Sequence, residues 1–262
     1  MLSWLKNKKS IKTKRISKRK ITVDCFTKNS AVKQYASIQS YKNFYPEYWK
    51  SLPKSNTIKT NNGINIEYSD SLKTCSAFID LYKSAFTIPL WADLKLKVDK
   101  NKQYFWHWSH EGVGDNEDSI AQPNENQYGE AFNNYTPLKI RSPWLIREKK
   151  GVKFYWTEPT WNYVNKFSDT LKILPGVVSY NTSFTTHINI LVKTGIGEIM
   201  IPYNTPMALI IPLSEENIEF KNHLVDEKEW NKIFNINFYN PTFKSSYKTR
   251  SKCPYSGEIK TI

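Results

Sequence analysis

Residues 171–213 read LKILPGVVSYNTSFTTHINILVKTGIGEIMIPYNTPMALIIPL, and the spacing of their apolar side chains sets the fold class. Thr186, Ile188, Ile190 and Val192 fall on one side of an extended chain, with His187, Asn189, Leu191 and Lys193 on the other. Alternation with period two marks a strand buried on one face. Gly195 and Gly197 punctuate it as a turn, after which Ile199 and Ile201 again point one way. Beyond the turn residues Tyr203-Asn204-Thr205-Pro206, the run Met207–Ile211 is apolar without a break, as in a strand covered on both faces. Three strands so closely spaced predict adjoining antiparallel ribbons, in a mainly β sandwich or a jelly-roll-like (cupin-like) core.

Composition bounds what surrounds that core. A chain of 262 residues, 39% hydrophobic and 15% aromatic, can bury a full interior, which excludes wholesale disorder. The formal charge is +14, and nine of those charges sit in Met1–Lys20, where no acid occurs. Of the 38 basic residues 33 are Lys, whereas Arg is the side chain that reads phosphate and base edges bidentately. The charge therefore argues solubility and loose polyanion affinity. Cys25, Cys75 and Cys253 lack CxxC spacing, so neither a disulfide framework nor a zinc site is indicated. No apolar run reaches the roughly 20 residues of a membrane span, and the basic leader lacks the apolar stretch of a signal peptide. These features make a reducing cytoplasm the expectation.

Working outward, Ile21–Thr27 alternates like a strand, and Ser30 is placed to cap a short helix carrying Val32, Tyr35, Ala36 and Gln39. Phe44–Pro53 is aromatic and bracketed by prolines, which favours a packed irregular turn. Phe78, Leu81, Tyr82 and Ala85 follow helical spacing within Ser71–Phe86. Leu94–Val98 and Gln103–Trp108 predict a hairpin across Asp99-Lys100-Asn101. Glu111–Glu130 carries six acids, no Lys or Arg and three glycines, as a long acidic loop would. Lys139–Trp144, Lys153–Thr157 and Asn162–Phe167 add extended segments. Near the end, Asp226 is an N-cap, Glu229 completes a capping box, and Val225 and Trp230 form a hydrophobic staple. The domain plan is a basic leader at 1–20, one β-rich domain at 21–239 with two or three peripheral helices, and a basic tail at 240–262.

Candidate chemistry is sparse. A non-haem metal site would need His107 or His110 to converge with His187, but His107-Trp108-Ser109-His110-Glu111 misses the H-x-D/E spacing that puts two ligands on one strand face. Asn189 shares a face with His187, and with Trp106, Trp108 and Trp144 it is a ligand-facing candidate. Core packing is the competing reading for those rings. Lys8, Lys9, Lys14, Arg15, Lys18, Arg19 and Lys20 are candidates for contact with nucleic acid or a membrane surface. No nucleophile elbow, phosphate-binding loop or HExxH motif occurs, which weighs against an enzyme.

Several segments together resemble a family of uncharacterised proteins carried by tailed phages of marine bacteria. They are Phe44–Pro53, Lys73–Asp80, Ile88–Asp93, Ser142–Ile146, Leu174–Gly176 and Ile201–Pro206 through Leu213. The likeness covers about Ile21 to Leu224 and departs at Ser76 and Asn204, where Pro and Gly are expected. The resemblance implies phage origin, a host bacterial cytoplasm or virion as location, and other phage proteins as partners. It carries no activity and assigns no residue a role. The leading expectation is a non-enzymatic virion or accessory protein binding through surface aromatics. The alternatives are a cupin-like metal-dependent oxygenase and a nucleic-acid-associated protein acting through its leader.

Overall fold

A computed structural model describes residues 20–59, 66–110, 119–123, 127–128, 131–164, 166–181, 185–235 and 261. The chain enters through β1 (Lys20–Thr27), α1 (Ser30–Tyr35), β2 (Gln39–Ser40), a 3-10 turn at Tyr41–Phe44 and α2 (Glu47–Ser51). β3 (Ser55–Lys59) and β4 (Ile66–Asp70) pair with each other, and α3 (Ser76–Ser84) follows. Next come β5 (Phe86–Pro89), β6 (Leu94–Val98), β7 (Tyr104–Trp108), β8 (Ile120–Ala121) and the long β9 (Tyr135–Glu148). β10 (Lys153–Thr157), α4 (Thr160–Tyr163), β11 (Leu171–Ile173) and β12 (Gly176–Ser179) lead into β13 (Thr185–Lys193). β14 (Gly197–Ile201), β15 (Pro206–Pro212), β16 (Asn217–Leu224) and α5 (Glu227–Asn235) complete the described chain.

The fold is mainly β and sandwich-like, as its alternation predicts. One layer is ordered β11-β13-β9-β1-β16 with β8 on β9; the other is β12-β10-β15-β5-β2. Phe220 of β16 meets Phe86 of β5 at 4.4 Å and Phe154 of β10 at 5.9 Å, so the two layers share one apolar interior. A third sheet, β14-β6-β7, closes the same core through Leu94, Leu96, Val98 and Ile201.

The strands of 171–213 form where expected, but they are not adjoining. β13 lies between β11 and β9, β15 lies between β10 and β5, and β14 pairs with β6. Both hydrogen-bonding edges of β13 are taken, so the turn cannot fold β14 back onto it as a hairpin. Gly195 and Gly197, both at φ 77°, instead carry the chain out of one sheet and into another. Pairing is also not antiparallel throughout: β1 and β16 run parallel in register from Lys20↔Asn217 to Thr27↔Leu224.

β9 runs through Pro137 and Pro143 and extends beyond the segment Lys139–Trp144 expected from the sequence at both ends. Thr185 pairs with Leu145 and His187 with Arg141, so Ser142-Pro143-Trp144 bulges opposite Thr186. Pro143 has no N–H to give, and a bulge asks for none there. The Thr186 hydroxyl donates to the Trp144 carbonyl at 2.7 Å, and Trp144 N–H donates to Ser142 Oγ at 3.3 Å.

Five helices occur among the described residues rather than two or three. Asn29, not Ser30, caps α1, its Oδ1 accepting from Val32 N–H at 3.1 Å. Phe44–Pro53 holds the short helix α2 in place of an irregular turn. α3 begins only at Ser76, because Ser71 caps a separate 3-10 turn at Leu72–Thr74. Asn162–Phe167 is not extended: Pro159 precedes the helical turn of α4, and Phe167 N–H donates to Tyr163 O at 2.9 Å. At α5, Asp226 Oδ1 accepts from Glu229 N–H at 2.7 Å as predicted, while Glu229 Oε1 takes the Lys232 ammonium.

A second apolar cluster is a column of stacked rings. Tyr41 and Tyr82 lie 4.2 Å apart, Tyr82 and Tyr45 4.5 Å, Tyr45 and Trp49 4.2 Å, with Lys73 Nζ 5.6 Å above Trp49. Asn162 joins the column to α4: its Oδ1 accepts from the hydroxyls of Tyr41 and Tyr82, and its Nδ2 donates to Phe44 O at 2.8 Å.

The two described cysteines should separate cleanly toward thiol reagents. Cys25 is wholly buried, and burial, then the Asp24 carboxylate, pushes its thiol up; Cys75 is exposed. Peptide mapping after alkylation should find Cys75 labelled in native protein and Cys25 only after unfolding. Native labelling of Cys25 would contradict the packing of β1.

Candidate binding site

The three-stranded sheet has one face in the core and the other in solvent. Leu94, Leu96 and Val98 of β6 point inward and are fully buried, so Lys95 and Lys97 must point out. On β7, Tyr104, Trp106 and Trp108 pack toward the core, which leaves Phe105 and His107 exposed on the outer side. On β14, Ile199 and Ile201 face in, and Glu198 and Met200 face out. Register then builds two outward rows, Glu198-Lys97-Phe105 and Met200-Lys95-His107. Phe105 is 60% exposed and Met200 44%. Lys95 Nζ stands 3.8 Å from Glu198 Oε1, an exposed ion pair worth little in water.

The turn that joins β6 to β7 is held by one carboxylate. Asp99 Oδ1 accepts from Asn101 N–H at 2.8 Å and from Gln103 N–H at 2.9 Å. Lys102 adopts φ 63°, the left-handed region that turns of this kind usually give to Gly or Asn. A lysine held there costs about 1 kcal/mol or more, and such strain tends to collect at functional positions.

Beside this turn lies a cleft of about 460 Å³ lined by Asn101, Lys102, Gln103, Tyr104, Phe105 and Gln122. The size falls within the range of small-ligand sites. Three carboxamides offer both donors and acceptors, one ammonium offers charge, and two rings offer flat apolar faces. That set can grip a planar or cyclic polar group. Among the described residues that line it, none is a carboxylate or an imidazole for proton transfer.

The residues singled out from the sequence land in several places. His107 lies on the exposed sheet face, His110 is exposed just beyond β7, and His187 is half-buried opposite Arg141 in the six-stranded sheet. Among the described residues, no group of three or more His, Cys, Asp or Glu side chains is arranged to hold a metal ion. Trp106 is half-buried against the core. Trp108 is buried, stacks on Trp91 at 5.3 Å and donates its indole N–H to Ser119 Oγ at 3.2 Å. Trp144 is wholly buried, its indole N–H given to Ala36 O at 3.3 Å. Neither Trp108 nor Trp144 presents a ring to solvent; the shared core takes both, Trp108 from the third sheet and Trp144 from β9.

Asn189 is half-buried, with its Oδ1 enclosed and its backbone carbonyl accepting from Leu174 N–H at 2.9 Å. Lys20 begins β1 and binds Glu219 at 2.9 Å, which holds that carboxyl below its ordinary range. The other leader candidates, Lys8 to Arg19, lie outside the described residues, as do most of the acidic loop and nearly all of the basic tail. No helix among the described residues is long and apolar enough to cross a membrane.

Phe105, Lys95, Lys97, Met200 and the three carboxamides escaped the sequence reading. Part of the signal was present: LKLKV fixes which residues of β6 face out, and Phe105 and His107 are two apart on its hairpin partner. That β14 lies on the far side of β6 is a matter of tertiary pairing alone. No family model matches the chain, and no curated protein matches it either.

Proposed function

We propose that this is a non-enzymatic binding protein that engages its ligand on the outer face of β14-β6-β7 and in the adjoining cleft. The resemblance to proteins of tailed phages supports a role as a virion or accessory component, acting in the virion or the host cytoplasm. One observation carries the reading: Phe105, 60% exposed, stands between an amide-lined cleft and a row of lysines. Scattered apolar residues are ordinary on protein surfaces. Here a Phe, a Met and a His occupy adjoining rows of one small sheet, beside a strained turn residue.

The test uses full-length protein and three probes: a fifteen-residue oligothymidylate, a heparin fragment and a neutral glucose oligosaccharide. At least one should bind, and Phe105→Ala should weaken it about tenfold or more, with a melting temperature within a few degrees of the parent. Lys102→Gly relieves the left-handed strain, so it should weaken binding without lowering stability. If no probe binds, or if binding ignores Phe105, the reading fails.

A further inference from the structure

Resting on that reading, we infer that the ligand is a single-stranded nucleic acid, its bases stacked on Phe105 and His107, its phosphates on the lysines of β6 and the turn, and one base in the cleft. Phe105 and His107 lie two residues apart on β7, so their rings recur about 7 Å apart along one straight edge. Rings at that interval suit an unstacked nucleotide chain, in which each base can turn outward onto a separate platform. In a duplex the base faces are covered by their neighbours, and a flat sheet face could not reach them.

Charge is arranged to match. Lys95 and Lys97 on the centre strand stand directly opposite His107 and Phe105, and Lys100 and Lys102 continue the line into the turn. Among the described residues of the sheet and its turn, two carboxylates stand against these four lysines. Asp99 is spent on the backbone of the turn, and Glu198 lies beside Lys95. A neutral sugar would use the rings but has no need of the lysines; a phosphodiester chain uses both. The carboxamides of Asn101, Gln103 and Gln122 can each donate and accept, which suits the mixed edge of a nucleobase. Among the described lining residues there is no arginine, so base preference should be slight.

One comparison isolates this contact from simple electrostatic attraction by the basic leader. Full-length protein is titrated with the fifteen-residue oligothymidylate, with an abasic deoxyribose-phosphate chain of equal length, with the corresponding duplex and with oligouridylate. Leader electrostatics alone would bind the thymidylate and abasic chains equally. Stacking predicts thymidylate and uridylate at least tenfold tighter than the abasic chain, with the duplex no better than abasic. Phe105→Ala and His107→Ala should each weaken oligothymidylate about five- to a hundredfold and leave abasic binding unchanged. Lys97→Glu should weaken both chains. Equal affinity for thymidylate and abasic chains, unaffected by Phe105→Ala, overturns the inference. If heparin or the neutral oligosaccharide then proves sensitive to Phe105, the binding role stands with another ligand. If no probe depends on Phe105, both fall.

Discussion

Trp144→Ala should lower the free energy of unfolding by about 4 kcal/mol, within the range for truncating a buried Trp. The ring is wholly enclosed, and its loss leaves a void between β9 and the end of α1. The indole also supplies the hydrogen bond to Ala36 O that ties the end of α1 to the sheet. Trp144→Phe restores much of the volume but not the donor, so it should cost about 2 kcal/mol, most of it from the stranded carbonyl. Denaturant melts of the two variants give the difference, and hydrogen exchange at α1 reports the lost tether. A loss under about 1 kcal/mol for the alanine variant would mean the ring is not the enclosed pillar described here.

Alkaline pH should unfold the protein steeply. Tyr41, Tyr82, Tyr163 and Tyr180 are fully buried, and burial foremost drives each phenol well above its ordinary value. Neighbouring groups add to this at Tyr41, where Tyr82 comes next, and at Tyr163, where Glu158 does. The native state therefore holds protons that the unfolded chain releases above about pH 10. Stability from these groups is complete below that pH and is lost as pH rises toward their native values. Each phenol contributes a slope of about 1.4 kcal/mol per pH unit, so the four together give roughly 5 kcal/mol per unit. The Cys25 thiol, also raised by burial, adds to the loss from about pH 9. Against a typical stability of about 5–15 kcal/mol, that slope places unfolding within one to three pH units. Phenolate absorbance from the four buried tyrosines and loss of near-ultraviolet circular dichroism should then rise in one cooperative step. Gradual ionisation of every tyrosine with the dichroism intact would contradict the burial of the ring column.

The two expectations draw on different layers of information. That Tyr82 belongs to a helix with Phe78 and Ala85 was legible from helical spacing. That it stacks between Tyr41 and Tyr45, with Asn162 tying it to Tyr41, was not, because those partners come from two other segments distant in the chain. Trp144 shows the same limit from the other side. At the end of the extended segment Lys139–Trp144 its ring reads either as ligand-facing or as core. The bulge opposite Thr186, and the carbonyl of Ala36 beyond it, decide for the core. The ring pair Phe105 and His107 was accessible from alternation, yet the sequence reading passed over it by searching that strand for metal ligands.

Taken alone, the sequence determined what is local. Period-two alternation made β1, β6, β7 and β13 strands, an unbroken apolar run made β15 one, Asp99 and its neighbours made a turn, and Asp226 opened the last helix. Each of these depends on side chains a few residues apart, where the backbone's own geometry decides. The tertiary structure decided which edges were open to pair. β13 was already flanked by β9 and β11, so β14 crossed to β6, and β1 found β16 in parallel at the far end of the chain. A strand's faces are written in its own residues, but its neighbours are set by competition for hydrogen-bonding edges across the whole molecule. That competition put Met200 beside Lys95 and made a surface of them.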